Sequence, residues 1–405
     1  MARRERRIGL WLIGAAGGIG GTVALGLAAL AKGLAKTTGL VTALAEFGAV
    51  PWVEPRQIVL GGHEIRSETL LESVWAIHAR SNVIPAETIE ACASVVRRIQ
   101  RNVRPGLTVG VIPNVCAMSD PLCVRRVKSA AEGVEAIAAD LTAFRTVNRL
   151  AHVVVVNVAS SEPPVEAQDA HASYKTLWKA MARKGEPVVP ASSIYAMGAF
   201  AADCSYINFT PSAGPRIPGI LEFAAARDML FMGRDGKTGE TLLKSVLAPM
   251  FAMRNLRIHS WIGHNVLGNR DGEILNVPAV KLSKVRSKDP LVSQIVGYPA
   301  DTRTSIEYVP SLSDWKVAWD YVHFEGFLNT KMNLQFVWTG SDSILAAPLV
   351  IDLVRLTALE HERGGRGSMP HLACFFKDPD GVKEQRFFAQ WRMLVEHVCG
   401  QGAVT

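Results

Sequence analysis

The apolar positions of this chain fall into two alternating rhythms. Short continuous runs at 8–13, 57–61, 108–112 and 152–158 are rich in β-branched residues and bounded by turn residues, which is the signature of buried strands. Between them, residues 68–78, 86–101 and 127–148 carry apolar side chains at helical spacing. Apolar strands alternating with helices predict a parallel sheet covered on both faces. After about residue 205 the texture changes. Polar, glycine-rich, lysine-bearing segments (SYINFTPSAGPRIPG, GRDGKTGETLLKSVLAPMF, GHNVLGNRDGEIL) interleave with strand-like runs at 257–262, 304–309 and 332–339. This predicts a second, α+β domain. Beyond Asp342, ILAAPLVIDLVRLTALE is a helix-length apolar segment expected to return to the first domain. The expected division is therefore 1–205 plus 342–405 for one domain and 206–341 for the other.

Residues 1–31 admit two readings. A basic start followed by an uncharged run has the layout of a secretory signal or membrane anchor, and the run is long enough to span a bilayer. Its internal order favours something else. A strand-length run is followed at once by Gly14, Gly17, Gly18, Gly20 and Gly21, then by the helix-forming TVALGLAALAKGLAK. Strand, glycine turn and helix make a dinucleotide-binding opening, in which backbone approaches a pyrophosphate at the positive end of a helix. The spacing is Gly14-x-x-Gly17-x-x-Gly20, with Ala16 where the usual fingerprint has its second glycine. Loops at 61–64 and 159–162 follow predicted strands, where such sheets bind their ligands.

Composition narrows the class. With 405 residues, 48% hydrophobic and 20% charged, the chain is long enough for two or three domains and too apolar to remain disordered. The net charge is +7, and RRERR near the start supplies +3 of it. The remainder is too small to argue for nucleic acid; a lysine-lined pocket for an anionic small molecule accounts for it. Six cysteines lie far apart with no CxxC pair, as expected of reduced core residues in a cytoplasmic protein. His361 and His371, or His259 and His264, do not form a metal motif, so no metal is expected, and no GxSxG nucleophile is present.

Several polar clusters remain. Residues 236–241 (GKTGET) open a helix, with Thr238 as the expected N-cap and the helix start as a phosphate seat. No glycine-rich loop precedes the GKT, so this is not a P-loop. Lys281, Lys284, Arg286 and Lys288 crowd one short stretch after Asn265, Asn269 and Asp271. A solvated basic face explains such a run; so does a site in which lysines hold phosphate or move protons. Lys316, inside the apolar SDWKVAWDY, and Lys377, after CFF, are harder to read as surface charges.

In order along the chain, GxxGGxxGGT, IVLGGHEI, SYINFTP, GRDGKTGETLLKSVLA, HNVLGNRDGEIL, KLSKVRSKD, SDWKVAWD and SDSILAAPLVIDL resemble the successive motifs of the myo-inositol-1-phosphate synthase family. The resemblance implies a Rossmann NAD-binding domain with a central α+β domain for catalysis and tetramer contacts. It also implies conversion of D-glucose 6-phosphate to 1D-myo-inositol 3-phosphate by C5 oxidation, enolisation, intramolecular aldol closure and re-reduction. A divergent sugar-phosphate cyclase or dehydrogenase is the alternative, and a membrane-anchored scaffold a third. By the same resemblance, Lys284 serves the C5 oxygen and Lys288 lies nearby. Lys316 and Lys377 lie near the phosphate and the C1 oxygen, Asp235 and Asp271 tune these lysines, and Asn269 lies in the same loop. Thr238, Gly239, Glu240 and Thr241 match the phosphate-binding helix start. Gly14, Gly17, Gly18, Gly20, Glu64, Ala159, Ser160 and Asp342 are the expected NAD contacts. Glu240, Arg270 and Val266 depart from the family pattern; Glu240 would set a carboxylate beside a phosphate unless it turns away or pairs with lysine. The aromatic stretch with Trp315, Trp319, Phe324, Phe327, Phe336 and Trp338 is expected to form homotetramer contacts.

Overall fold

The computed structural model describes residues 6–275 and 290–400. Six parallel strands form one sheet: β1 (Ile8–Ile13), β2 (Ile58–Glu64), β3 (Val103–Pro105), β4 (His152–Asn157), β5 (Ser205–Asn208) and β6 (Phe231–Gly233). Their order is β3-β2-β1-β4-β5-β6. Ile8 is in register with both Ile58 and His152, so β1 lies between the two halves of the sheet. Crossovers leave β1 and β4 in opposite directions, opening a crevice at their carboxyl ends.

Strand periodicity builds two cores. Leu10, Leu12, Val154 and Val156 pack on one face of the sheet with helices Gly18–Ala31, Leu70–Ser81, Ala86–Gln100 and Asp342–Glu362. Trp11, Ile13, Val153 and Val155 pack on the other, beneath helices Ala130–Asn148 and Ala191–Ala201. Both faces of β1 are buried because its alternate side chains point opposite ways.

The apolar amino-terminal run is thereby divided into a strand, a tight turn and a 14-residue helix. Gly14 makes the turn at φ +82°, where a Cβ would stand 2.9 Å from the Ala159 Cα. No helix among the described residues is long and apolar enough to cross a membrane.

Two expectations change here. Residues 108–112 are not a strand; the edge strand is Val103–Pro105, and Gly110 turns the chain at φ +79° against the start of helix Ala191–Ala201. The change of texture at 205 does not end the first sheet, because β5 and β6 extend it and the expected 205/206 boundary cuts through β5. Glycine-rich loops between these short strands obscure the α/β rhythm in the sequence.

The second sheet has the order β10-β9-β7-β8, with β7 (Arg257–Leu267), β8 (Asp301–Tyr308), β9 (Trp315–Glu325) and β10 (Lys331–Ser341). β7 is parallel to β8 and antiparallel to β9. Phe251 from helix Glu240–Met253 and Leu291 and Val292 from helix Pro290–Val296 pack on Trp261 and Val322 beneath it. β10 leads directly into helix Asp342–Glu362, which packs along helix Gly18–Ala31.

Candidate functional site

A cavity of about 300 Å³ lies where the carboxyl end of the six-stranded sheet meets the second sheet. Its nucleotide side is built on the glycine turn. Gly14, Gly17 and Gly18 line it, with Ala159 and Ser160 from the loop after β4. Gly17 is the N-cap of helix Gly18–Ala31; no side chain caps this end and its first turn carries no acid. The first amides and the helix dipole therefore favour an anion. A Cβ on Gly18 would stand 2.7 Å from Ser343 Oγ, so glycine is what allows helix Asp342–Glu362 to close against the turn. Gly20 does not line the cavity: its missing Cβ would lie 2.1 Å from the Ala15 carbonyl oxygen, making it a packing residue within the turn. These features fit the pyrophosphate of a dinucleotide.

Glu64 lines the cavity with both oxygens engaged. Oε2 accepts from the Ala16 amide at 2.9 Å, while Oε1 accepts from the Ile65 amide at 3.0 Å and Arg66 Nε at 3.1 Å. It braces the glycine turn. His63 beside it accepts from Trp11 Nε1 on Nδ1 at 2.9 Å, so its Nε2 carries the proton donated to Asp140 at 3.1 Å. Burial holds this imidazole below its ordinary pKa despite Asp140.

The opposite wall collects the chemistry. Lys316, at the start of β9, stands 3.8 Å from Asp342 Oδ1, and Asn269 donates to Asp342 Oδ2 at 3.2 Å. A strand and a turn thus converge on the carboxylate at the head of helix Asp342–Glu362. Asp314 fixes their relation: it is buried, and it accepts from Ser341 Oγ and from Ser343 Oγ at 2.6 Å. Burial raises its pKa against the pull of those hydroxyls. Lys377 reaches the cavity from the carboxyl-terminal segment. An antiparallel bridge between Gly236 and Phe376 brings it there, and its Nζ donates to Asp235 Oδ1 at 2.7 Å. The Lys377 amide also donates to the Asp235 carbonyl at 2.7 Å, with Asp235 held at φ +63°.

Thr238 lines the cavity, but the N-cap is Gly239, and helix Glu240–Met253 starts one residue later than a Thr238 cap implies. Gly239, Glu240 and Thr241 are buried behind that wall and do not line it. Glu240 turns away from the cavity. Its Oε1 pairs with Lys244 at 2.5 Å and its Oε2 accepts from Asn265 at 2.6 Å. Gly263 on β7 leaves room for this, since a Cβ there would stand 2.2 Å from Oε1. Lys237 also turns inward, donating to Gln390 at 2.6 Å, with its pKa lowered to about 8 chiefly by burial. Arg270 pairs with Glu68, which also accepts from Arg66 at 2.8 Å, tying the two sides of the cavity mouth together. Lys284 and Lys288 lie outside the described residues, as does the Asp271 side chain.

Glu162 was not singled out by any sequence motif. It lines the cavity from the loop after β4, and its carboxyl accepts from the Ser192 amide at 2.9 Å and from Ser192 Oγ. Burial pushes its pKa up to about 7. Only its position at the end of a parallel strand hinted at a place near the site. Asp314, flanking Lys316, carried no signal of its own.

The myo-inositol-1-phosphate synthase family model matches residues 8–398. Inositol-3-phosphate synthase 1 of Bacteroides thetaiotaomicron is 30% identical, over 96% of this chain and 94% of that protein. The Trypanosoma brucei brucei inositol-3-phosphate synthase is 27% identical, over 89% and 74%. Among solved structures, the inositol-3-phosphate synthase of Caenorhabditis elegans aligns at TM-score 0.87 and 24% identity, covering 98% of this chain and 86% of the other. A myo-inositol-1-phosphate synthase-related protein of Thermotoga maritima aligns at TM-score 0.77 and 20% identity, over 97% and 98%. At those identities the structural matches speak for the fold.

Proposed function

The chain belongs to the myo-inositol-1-phosphate synthase family, and from that premise we propose that it converts D-glucose 6-phosphate to 1D-myo-inositol 3-phosphate with NAD as a retained cofactor. The observation that carries this reading is the meeting of Lys316 and Lys377 with the glycine turn around one cavity. When bound, NAD supplies oxidation at C5 and, after ring closure, its reversal. The protein's own groups then have three sites of negative charge to hold: the phosphate, the oxyanion that develops at C5 during enolisation, and the oxyanion at C1 during aldol closure. Cationic donors fixed in advance stabilise such charges more in the transition state than in the ground state.

Thr238, which lines the cavity just before the N-cap of helix Glu240–Met253, offers the phosphate a hydroxyl. Lys377, steadied by Asp235, and Lys316, beside Asp342, serve the phosphate and the C1 oxygen. Lys284 serves the C5 oxygen and Lys288 the substrate close by in this reading, by their match to the family motif. Because Glu240 is neutralised by Lys244 behind the wall, its departure from the family pattern adds no carboxylate to the phosphate seat. Incubation with glucose 6-phosphate and NAD+ is the test. Inositol phosphate is expected to form with no net NADH, because oxidation and reduction occur on the same bound substrate. Stoichiometric NADH would identify a dehydrogenase and defeat the proposal.

The protein is further expected to assemble as a homotetramer through the central domain. On the outer face of the second sheet, Trp319 and Tyr321 are half-buried and Val337 is 62% exposed, while Phe327 is 88% exposed in the turn between β9 and β10. Apolar surface of this kind favours a protein partner, and identical copies assemble through closed symmetry. Phe324 and Phe336, by contrast, are spent inside the protomer, against the Trp261 core. Light scattering is expected to give four times the 43.9 kDa chain mass; a monomer would overturn this. All six cysteines are free thiols, which suits a reducing cytoplasmic setting.

A further inference from the structure

Away from the cavity, three segments of the carboxyl-terminal region bring together side chains with the chemistry of a metal site. Glu360 lies in the last turn of helix Asp342–Glu362, His371 in the 3-10 turn Pro370–Phe375, and His397 near the end of helix Phe387–Cys399. One ligand atom from each lies within 4.8 Å of the other two. None of the three lines the cavity described above.

The three side chains are already in contact. The His371 and His397 rings are stacked, with centroids 3.7 Å apart and planes 2° from parallel; in-plane lone pairs on parallel rings do not meet at one point, so holding one ion requires the half-exposed His397 ring to turn out of the stack. Both present Nε2 to one carboxylate oxygen: His397 Nε2 is 2.7 Å from Glu360 Oε2 and His371 Nε2 is 4.0 Å from it. The second distance is too long for a hydrogen bond. A tetrahedral ion about 2.0–2.1 Å from each ligand separates the ligands by about 3.4 Å, between the two observed distances.

Charge also favours a cation. Two imidazole nitrogens and a carboxylate oxygen supply three lone pairs and one negative charge. Glu360 stands at the negative end of its helix. Arg363 is the nearby competing cation, but its guanidinium donates to the carbonyls of His397 at 3.1 Å and Val398 at 2.8 Å.

We propose that Glu360 Oε2, His371 Nε2 and His397 Nε2 form a zinc site that clips the carboxyl-terminal helix to the end of helix Asp342–Glu362. The donor set of two imidazoles and one carboxylate suits zinc, with a fourth position left for water. A cation held only by the folded chain stabilises it by mass action.

The experiment uses full-length protein with NAD bound, stripped of metal by chelator. Titration with zinc alone, followed by calorimetry and thermal unfolding, is expected to show an equivalent of bound zinc and a Tm about 3 °C higher at one hundred times Kd. Cobalt(II) is expected to give the strong visible absorption of a four-coordinate centre. His397→Gln, at a half-exposed position outside the core, and separately Glu360→Gln, should each remove that equivalent and both shifts. Cys399→Ser, on the same helix, should keep them. The proposal is overturned if the unaltered protein binds no zinc, or if both glutamine variants bind as it does.

Discussion

Lys316→Ala is expected to lower kcat by about 10²–10³, the loss that follows removal of one preorganised donor to a developing oxyanion. The physical basis is the position of Lys316. It lines the cavity, is largely shielded from solvent, and sits 3.8 Å from Asp342, close enough for charge compensation without a hydrogen bond. Its protons are thereby left available to substrate. Removing the ammonium leaves Asp342 with Asn269 as a donor at 3.2 Å, so the fold and the NAD end should persist. A fall in kcat with NAD affinity and Tm nearly unchanged supports a role in the chemistry. Turnover within about threefold of the unaltered protein, or parallel loss of NAD binding and Tm, would reduce Lys316 to a structural charge.

A still larger effect is expected at Lys284. Loss of an oxyanion partner accounts for about 10²–10³ in rate. Loss of a proton-transfer role adds on the order of 10²–10⁴. Lys284→Ala should therefore abolish measurable turnover while folding and NAD binding persist. Lys281→Ala, on the same basic run, is the internal control and should keep most activity. Equal losses from both substitutions would assign the run to a solvated basic face.

The two kinds of site residue differed in how legible they were. Gly14, Gly17 and Gly18 announce themselves because a dinucleotide turn needs missing Cβ atoms between a strand and a helix, and all three elements are contiguous in sequence. Gly20 carries the same signal but serves packing; what distinguishes it is the Ala15 carbonyl 2.1 Å from its absent Cβ. Glu64 lines the cavity, where its oxygens hold the turn's own backbone and Arg66. Lys316 and Lys377 were conspicuous as charges in apolar surroundings. Their convergence was not, because it depends on the return of the chain after β10 and on the bridge between Gly236 and Phe376.

The sequence by itself determined the alternation of strands and helices, the glycine turn at the amino end, the return of helix Asp342–Glu362 and the family resemblance. These are properties of local periodicity, of backbone sterics and of motif order, and they survive without knowledge of what packs on what. Tertiary structure alone decided the direction of Glu240. A lysine four residues on, an asparagine on β7 and the space above Gly263 draw its carboxylate behind the wall. It also decided that β5 and β6 complete the first sheet, since strands this short are defined by their neighbours rather than by their own composition. The grouping of Glu360, His371 and His397 belongs to the same category. Three segments that carry no metal motif in sequence bring their donor atoms within 4.8 Å of one another only when a helix end, a turn and a second helix pack together, because such distances are set in space and not along the chain.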